Sequence, residues 1–163
     1  MKKWLGLTAG VALLVVLLAA VSFLNLRTSP SAQANSTKSI HVVEHAITDT
    51  VGDTLPVGDS VGDTLGFHNP VFDAADAHQV GTDNGACLRT VSAGKTEWEC
   101  FWTTVLAEGQ LTVEGPFYDD GTDTTLAITG GTGVYTGATG TMLLHARGNP
   151  VGSEFDFIFH LSK

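Results

Sequence analysis

The sequence predicts an all-β fold of about eight antiparallel strands, and three observations carry this prediction. Turn-forming residues recur roughly every 8–12 residues after residue 40. The C-terminal stretch "SEFDFIFHL" places Phe155, Phe157 and Phe159 on one face at a period of two, which is typical of a strand. No amphipathic helix pattern occurs after residue 35. A chain of this kind folds as a β-sandwich or a β-barrel.

The long aromatic segment "EWECFWTTVL" favours a closed barrel over an open sandwich. An exposed edge strand of this composition would promote aggregation, and closure of the sheet removes the edges. A barrel of about eight strands encloses room for packed side chains or for one small ligand. We therefore expect any small-molecule site to lie inside the barrel.

The N-terminal segment has the pattern of an export signal. Lys2 and Lys3 precede an uncharged segment, Trp4 to Leu26, that is long enough to span a bilayer. The small residues that end at Ala34 form a signal-peptidase site. We expect residues 1–34 to be a signal peptide or a membrane-anchor helix, so the following domain is secreted or otherwise extracytoplasmic.

The rest of the chain divides into a polar linker, residues 35–39, and a barrel domain, residues 40–163. Together they carry 5 basic and 17 acidic residues. So acidic a surface repels the phosphates of nucleic acids and of anionic lipids. Nucleic acid is therefore not an expected partner, and we expect membrane contact only through residues 4–26 if they are retained.

The first strands follow from local composition. Residues 40–47, "IHVVEHAI", are rich in β-branched side chains and predict the first strand. The three Val-Gly-Asp copies within residues 51–63 are too short for a solenoid and lack the spacing of a calcium loop. They predict a loop of turns before a second strand at residues 64–68, which Asn69 and Pro70 end or bulge.

The later strands are apolar or β-branched runs between turn signals. Their predicted ranges are 86–92, 96–106, 110–117, 124–129, 140–147 and 153–161. The glycine-rich stretch "LAITGGTGVYTGATGTMLLHA" begins in the strand predicted at 124–129 and ends in the strand predicted at 140–147. Thr136 stands where a dinucleotide-binding motif needs its third glycine, so the stretch predicts a glycine-shaped turn between two strands.

Two cysteines bound the hairpin "CLRTVSAGKTEWEC". If Ala93-Gly94 is a two-residue turn, Cys87 lies directly opposite Cys100 and within disulfide reach. A free, reactive Cys87 thiol is the alternative. There is no C-x-x-C motif and the histidines show no metal-ligand spacing, so neither a metal nor a cofactor is expected.

Two charged residues are candidate site residues. Glu44 shares a strand face with Val42 and Ala46; if this face points inward, burial would raise the pKa of the carboxyl, as acid–base chemistry requires. If it points outward, Glu44 is simply solvated. Arg89, on the face of Cys87, pairs with Glu97 or Glu99 across the hairpin or anchors a carboxylate ligand.

Four segments taken together resemble the allene oxide cyclase barrels and, more distantly, the dirigent proteins. They are "VGDTLGFHNPVFD", "VGTDNGACLRT", "LTVEGPFYDD" and "LAITGGTGVYTGATG", and the resemblance extends over residues 40–162. It implies an eight-stranded antiparallel barrel with an apolar cavity, often a homotrimer, from a secreted bacterial member. It also implies a fatty-acid-derived or phenolic ligand, no cofactor, and control over cyclisation or isomerisation.

The resemblance also assigns residues. Glu44 matches the catalytic glutamate of the first strand, Asn69 a water-binding asparagine, and Cys87 the cavity cysteine. Phe117 stands where the family has a ligand-contacting tyrosine, and Ala46 replaces a second asparagine. The sequence thus leaves three functions open: an isomerase or cyclase of the allene oxide cyclase type, a non-catalytic carrier of an apolar ligand, and a cell-envelope interaction module.

Overall fold

The computed structural model describes residues 38–162, so the predicted signal or anchor segment lies outside the described residues. Within this range there are nine β-strands and one short 3₁₀ helix at Gly133–Tyr135. The strands are β1 Lys38–His45, β2 Thr50–Gly52, β3 Thr64–Asp73, β4 Gln79–Val91, β5 Glu97–Leu106, β6 Gly109–Tyr118, β7 Thr124–Gly131, β8 Thr139–Arg147 and β9 Glu154–Ser162. No helix in the described part is long and apolar enough to cross a membrane.

The predicted eight-stranded antiparallel barrel is confirmed. Strands β3 to β9 pair in sequence order, β9 pairs with β1, and β1 closes the ring by pairing with β3. β1 contacts only the second half of β3, at Val71–Asp73. The short strand β2, which the sequence pattern does not predict, pairs with the first half of β3 at Thr64–Gly66 and covers the edge that β1 leaves open.

Of the two predicted outcomes at Asn69 and Pro70, an end of the second strand is wrong, whereas a bulge is found one residue later. β3 continues through both residues to Asp73, and a register shift follows between Val71 and Phe72. Pro70 pairs with β4 on one side and lies between the stretches of β3 that β2 and β1 cover on the other. On that second side, as at an edge strand, a missing N–H costs no ladder hydrogen bond. β4 likewise begins at Gln79, earlier than the pattern predicts.

The hairpin of β4 and β5 places Cys87 directly opposite Cys100, and the two form the predicted disulfide. The connection is longer than the predicted two-residue turn, because β4 ends at Val91 and β5 begins at Glu97. A register shift between Arg89 and Val91 compensates for the longer turn. The cysteine register was thus predicted correctly although the turn was not.

The glycine-rich stretch joins β7 to β8, which pair antiparallel as predicted. Gly133 has a φ of 61°, and a Cβ there would lie 2.3 Å from the carbonyl oxygen of Glu108. The close approach of two backbones therefore explains this glycine, and the role of the stretch is architectural.

Aromatic and aliphatic side chains fill much of the barrel interior. Those of the last four strands include Leu111, Val113, Leu126, Ile128, Met142, Leu144, Phe155, Phe157, Phe159 and Leu161, each at most 7% exposed. Phe101, by contrast, points outward from β5 and is 63% exposed.

Candidate functional site

Glu44 points into the barrel and is 5% exposed. One carboxylate oxygen, Oε1, accepts a hydrogen bond of 2.7 Å from the Asn69 side-chain amide. Burial raises the pKa of Glu44 to about 7, against the lowering effect of the Asn69 hydrogen bond, and the charge of Asp49 raises it further. Near neutral pH this carboxyl therefore exists in both its protonated and its ionised form.

Asn69 is fully buried, and its hydrogen bonds fix its orientation. The side-chain oxygen accepts bonds from the backbone N–H groups of Ile47 and Thr48 and from the Thr48 hydroxyl, at 2.8 to 3.1 Å. Its amide nitrogen donates to Glu44 and to Asp49, the latter at 2.8 Å. Asn69 thus holds the chain after β1 in place and orients two carboxylates.

Asp83 is a second fully buried carboxyl, and sequence reasoning missed it. It pairs across the β3–β4 ladder with Asn69, and its Oδ1 accepts a hydrogen bond of 3.1 Å from the Thr104 hydroxyl. Its Oδ2 has no hydrogen-bond partner in the described part of the chain. Burial and the charge of Glu44 raise the pKa of Asp83 well above its ordinary value. The only signal was its even spacing from Cys87, on a strand predicted too short.

An inner pocket of about 40 Å³ lies beside Glu44. The disulfide forms part of its wall, and the aromatic rings of Phe67, Trp102 and Phe117 line it. A space of this volume holds about three water molecules or one small terminal group of a ligand. Trp102 is 4% exposed, and its indole Nε1 has no hydrogen-bond partner among residues 38–162.

A wider outer chamber of about 530 Å³ adjoins the inner pocket. Asp49, Leu65, Phe117 and Phe155 line both spaces, so these four side chains form the boundary between the chamber and the pocket. Its volume falls in the range of small-molecule sites. The geometry therefore has a broad entrance for the body of a ligand and a narrow end at Glu44.

Arg89 lines the outer chamber with its guanidinium 3.9 Å from the centre of the Trp98 ring. It forms ion pairs with Asp59, at 2.7 Å, and with Asp119. The predicted pairing with Glu97 or Glu99 is wrong, because Arg89 pairs with Trp98 in the ladder and both point inward, whereas those glutamates lie on the opposite face of β5.

The structure brings together most of the residues that the sequence singled out. Glu44, Cys87 and Phe117 line the inner pocket, and Asn69 hydrogen-bonds Glu44 from outside its lining. Arg89 lies in the outer chamber instead. The Cys87 sulfur is bonded to Cys100 and offers no thiol. The sequence did not predict the unpartnered Trp102 indole N–H or the contacts of Asp49, Asp59 and Asp119. These depend on the loop paths and on the side-chain packing.

One group outside the barrel interior has the geometry of a cation site. The ligand atoms of His45, Asp76 and Glu154 all lie within 4.8 Å of one another. Arg147, however, already forms ion pairs with Asp76, at 3.4 Å, and with Glu154, at 3.2 Å. Its guanidinium supplies the positive charge that a metal would otherwise bring.

Comparison with known proteins identifies the barrel. Residues 43–152 match the family model of the allene oxide cyclase barrel-like domain. A search of curated proteins found no match. Among solved structures, a pyocyanin demethylase is 25% identical with a TM-score of 0.64, over 75% of this chain and 100% of that one.

Two further solved structures share the fold at lower identity. The exo-specific intermolecular Diels-Alderase AbnU is 16% identical with a TM-score of 0.63, over 78% of this chain and 99% of that one. A pterocarpan synthase dirigent protein, GePTS1, is 16% identical with a TM-score of 0.60, over 83% and 96% of the two chains.

Proposed function

The chain belongs to the allene oxide cyclase barrel-like family, and we propose that it binds a small, largely apolar molecule in the barrel and steers its cyclisation or isomerisation. The observation that carries this proposal is Glu44, a carboxyl with a pKa of about 7 beside an aromatic-lined pocket. Burial of a carboxyl destabilises a fold, and carboxyls with strongly raised pKa values are found most often at functional sites. Solved relatives that share the fold include a Diels-Alderase.

The proposed chemistry needs no co-reactant, because an isomerisation or ring closure conserves the atoms of the substrate. The aromatic walls hold a flexible substrate in one conformation, which removes part of the entropic barrier to ring closure. Glu44 then donates a proton to a developing negative charge, or as the carboxylate stabilises a developing positive one. Asn69 keeps the carboxyl oriented toward the pocket through its 2.7 Å hydrogen bond.

Because of two departures from the family pattern, Glu44 is the main candidate for proton transfer in the inner pocket. Phe117 offers no hydroxyl, and the disulfide removes the Cys87 thiol. Among the described residues that line the inner pocket, the ionisable side chains are therefore the carboxyls of Glu44 and Asp49. Only Glu44 of these two is buried.

The test compares the wild type with Glu44→Gln. Each protein is incubated with a fatty-acid and phenolic extract, and captured masses are read by native mass spectrometry and compared with the free species. We expect the variant to capture ligand within a few-fold of wild type and to release no transformed product. Glu114→Gln, at an exposed position of β6, is the matched control and should keep full turnover. Unchanged turnover in Glu44→Gln would overturn the proposal.

The same departures favour a second candidate function, a non-catalytic carrier of the same class of ligand. The lost hydroxyl and thiol leave a pocket with few reactive groups. Recovery of the captured ligand chemically unchanged from the wild type would support the carrier over the cyclase.

We also propose that the domain is secreted or extracytoplasmic. The Cys87–Cys100 disulfide supports this location, since disulfides persist mainly in oxidising compartments. N-terminal sequencing of the protein from its native host checks it: a start at Asn35 indicates a cleaved signal peptide, a start at Met1 in the membrane fraction indicates an anchor, and a start at Met1 in the soluble fraction would refute export. The homotrimer implied by the family resemblance is checked by sedimentation of the purified protein, where a monomer mass would refute it.

A further inference from the structure

We propose that the site selects uncharged or cationic aromatic molecules over carboxylates, and that the Trp102 indole donates a hydrogen bond to a carbonyl-type oxygen of the ligand. This inference rests on the proposed function for the location of the site and adds the chemical class of its ligand. Three features carry it: an unpartnered donor on a residue that lines the inner pocket, the division of the cavity, and the charges of the outer chamber.

The donor is the indole N–H of Trp102. The side chain is 96% buried, yet Nε1 has no hydrogen-bond partner in the described structure. Buried indole N–H groups usually find a partner, because an unpaired buried donor loses its hydrogen bond to water without replacement. Trp102 also lines the inner pocket. The nitrogen itself is buried in the wall of that pocket, so a ligand oxygen satisfies the donor once the indole or its neighbours shift.

The opposite strand makes room for this indole. Gly85 pairs with Trp102 across the β4–β5 ladder. A Cβ on Gly85 would lie 2.4 Å from the Trp102 Cβ and 2.6 Å from an atom of the Phe67 ring. A larger residue at position 85 would displace the indole, so the glycine permits its present position.

The size of the cavity determines which part of a ligand reaches the donor. The inner pocket, about 40 Å³, admits a terminal oxygen-bearing group but no ring system. The outer chamber of about 530 Å³ has room for the rings, and Trp98, Phe117, Tyr118 and Phe155 line it. Aromatic walls favour flat, unsaturated ligands through stacking and edge-to-face contacts. The expected ligand therefore has an aromatic body with an oxygen at its inner end.

The outer chamber is net acidic. Asp49, Asp119 and Asp120 line it together with one cationic side chain, Arg89. Lys95 lies 3.7 Å from the centre of the Tyr118 ring and is a second cation beside the chamber. The net negative charge of this partly enclosed chamber repels an anionic ligand and attracts a cationic one.

Arg89 does not provide a free anchor for a ligand carboxylate. Its NH1 and NH2 groups pair with Asp119 and Asp59, so two carboxylates already balance its charge. Its Nε is buried without a partner, but the guanidinium is stacked on Trp98. The carboxylate-anchor role that the sequence left open for Arg89 therefore does not fit these contacts.

The test uses two matched pairs of probes with the purified protein at pH 7.5 and low salt, read by calorimetry. 2-Naphthamide against 2-naphthoate isolates the charge, and 2-acetylnaphthalene against 2-isopropenylnaphthalene isolates the oxygen. We expect the amide and the ketone each to bind about tenfold more tightly than their counterparts. Equal or tighter binding of 2-naphthoate, or absence of any ketone preference, would overturn the inference, as would failure of all four probes to bind.

Two variants test whether the indole N–H of Trp102 causes the preference for the ketone over the alkene. Trp102→Phe should reduce the preference for the ketone to about twofold or less, while Phe101→Leu, at an outward-facing position of the same strand, should retain it. A preference that survives in Trp102→Phe overturns the role of the indole. If Trp102→Phe does not fold, the wild-type indole proton decides: its NMR signal should move on adding the ketone and stay in place on adding the alkene.

These outcomes are separable from those of the proposed function. The probe experiments read binding alone and involve no turnover. If Glu44→Gln keeps full turnover while the probe pattern holds, the proposed catalytic role fails and the ligand class stands. If turnover depends on Glu44 but 2-naphthoate binds as well as the amide, only the ligand class fails.

Discussion

The two walls of the barrel interior differ in chemistry. On one side, which we call the polar wall, the inward faces of β1, β3 and β4 carry the buried groups Glu44, Asn69 and Asp83. On the other, the apolar wall of β6 to β9, the fully buried large side chains are Leu111, Val113, Leu126, Met142, Phe157 and Phe159. Burial of apolar groups stabilises the fold, whereas burial of carboxyls opposes it. We infer that burial of the apolar wall offsets the free-energy cost of burying the carboxyls of the polar wall.

The largest expected effect comes from breaking the apolar wall. Phe159 is fully buried and lines neither the inner pocket nor the outer chamber. Phe159→Ala should lower the free energy of unfolding by about 3–5 kcal/mol through lost burial and a new cavity. Urea denaturation measures the loss. A change below about 1 kcal/mol would show that this wall is not the stabilising one.

The disulfide joins the polar wall to β5, and its removal should have the next largest effect. Cys87 and Cys100 are 13 residues apart in sequence, so the bridge restricts the unfolded chain by closing a short loop. Reduction should lower the free energy of unfolding by about 3 kcal/mol. Denaturation with and without reductant measures the change. The double variant Cys87→Ala/Cys100→Ala should not respond to reductant; an equal response there would contradict this explanation.

The polar wall should make stability depend on pH. The folded-state pKa of Glu44 is about 7 and its ordinary value is 4.5, so the folded protein holds this proton more tightly than the unfolded chain. The contribution of Glu44 protonation to the free energy of unfolding is fully present below pH 4.5 and is lost as the pH rises through 7. Relative to Glu44→Gln, the wild type should lose up to about 3 kcal/mol over this range.

Urea denaturation from pH 4 to pH 8 measures this difference. The raised pKa of Asp83 has the same sign of effect, and the charge of Glu44 is one of its causes, so the difference between the two proteins reports Glu44 together with its coupling to Asp83. A constant difference between the two proteins across this range would mean that Glu44 is solvated, and the polar wall would then lose its distinguishing feature.

The smallest expected effect concerns the deepest part of the polar wall. The Thr104 hydroxyl donates the 3.1 Å hydrogen bond to Asp83. Thr104→Val keeps the side-chain shape and should cost about 1–2 kcal/mol, because the Asp83 carboxyl then loses its side-chain donor. Thr125→Val, at an exposed position of β7, should change the free energy of unfolding by less than about 0.5 kcal/mol. Equal costs for the two variants would contradict a structural role for the buried pair.

The sequence predicted most of the barrel but only part of the site. The period of two that places Phe155, Phe157 and Phe159 on one face also explains why Glu44 faces inward with Val42. Those predictions need only local alternation. Asp83 was missed because Pro70 obscured how far β3 and its partner β4 extend. The partners of Arg89 lie in loops at residues 59 and 119, and alternation along a strand contains no information about loop paths.

The most direct test of the account is a carboxyl titration of Glu44. In protein labelled with ¹³C at glutamate side chains, the Glu44 signal is assigned by its absence in Glu44→Gln and followed by NMR from pH 3 to pH 9. We expect a midpoint near pH 7, because burial disfavours the ionised form. A midpoint near 4.5 would mean that the carboxyl is solvated and would contradict the central claim that the polar wall holds a proton-exchanging group inside the barrel.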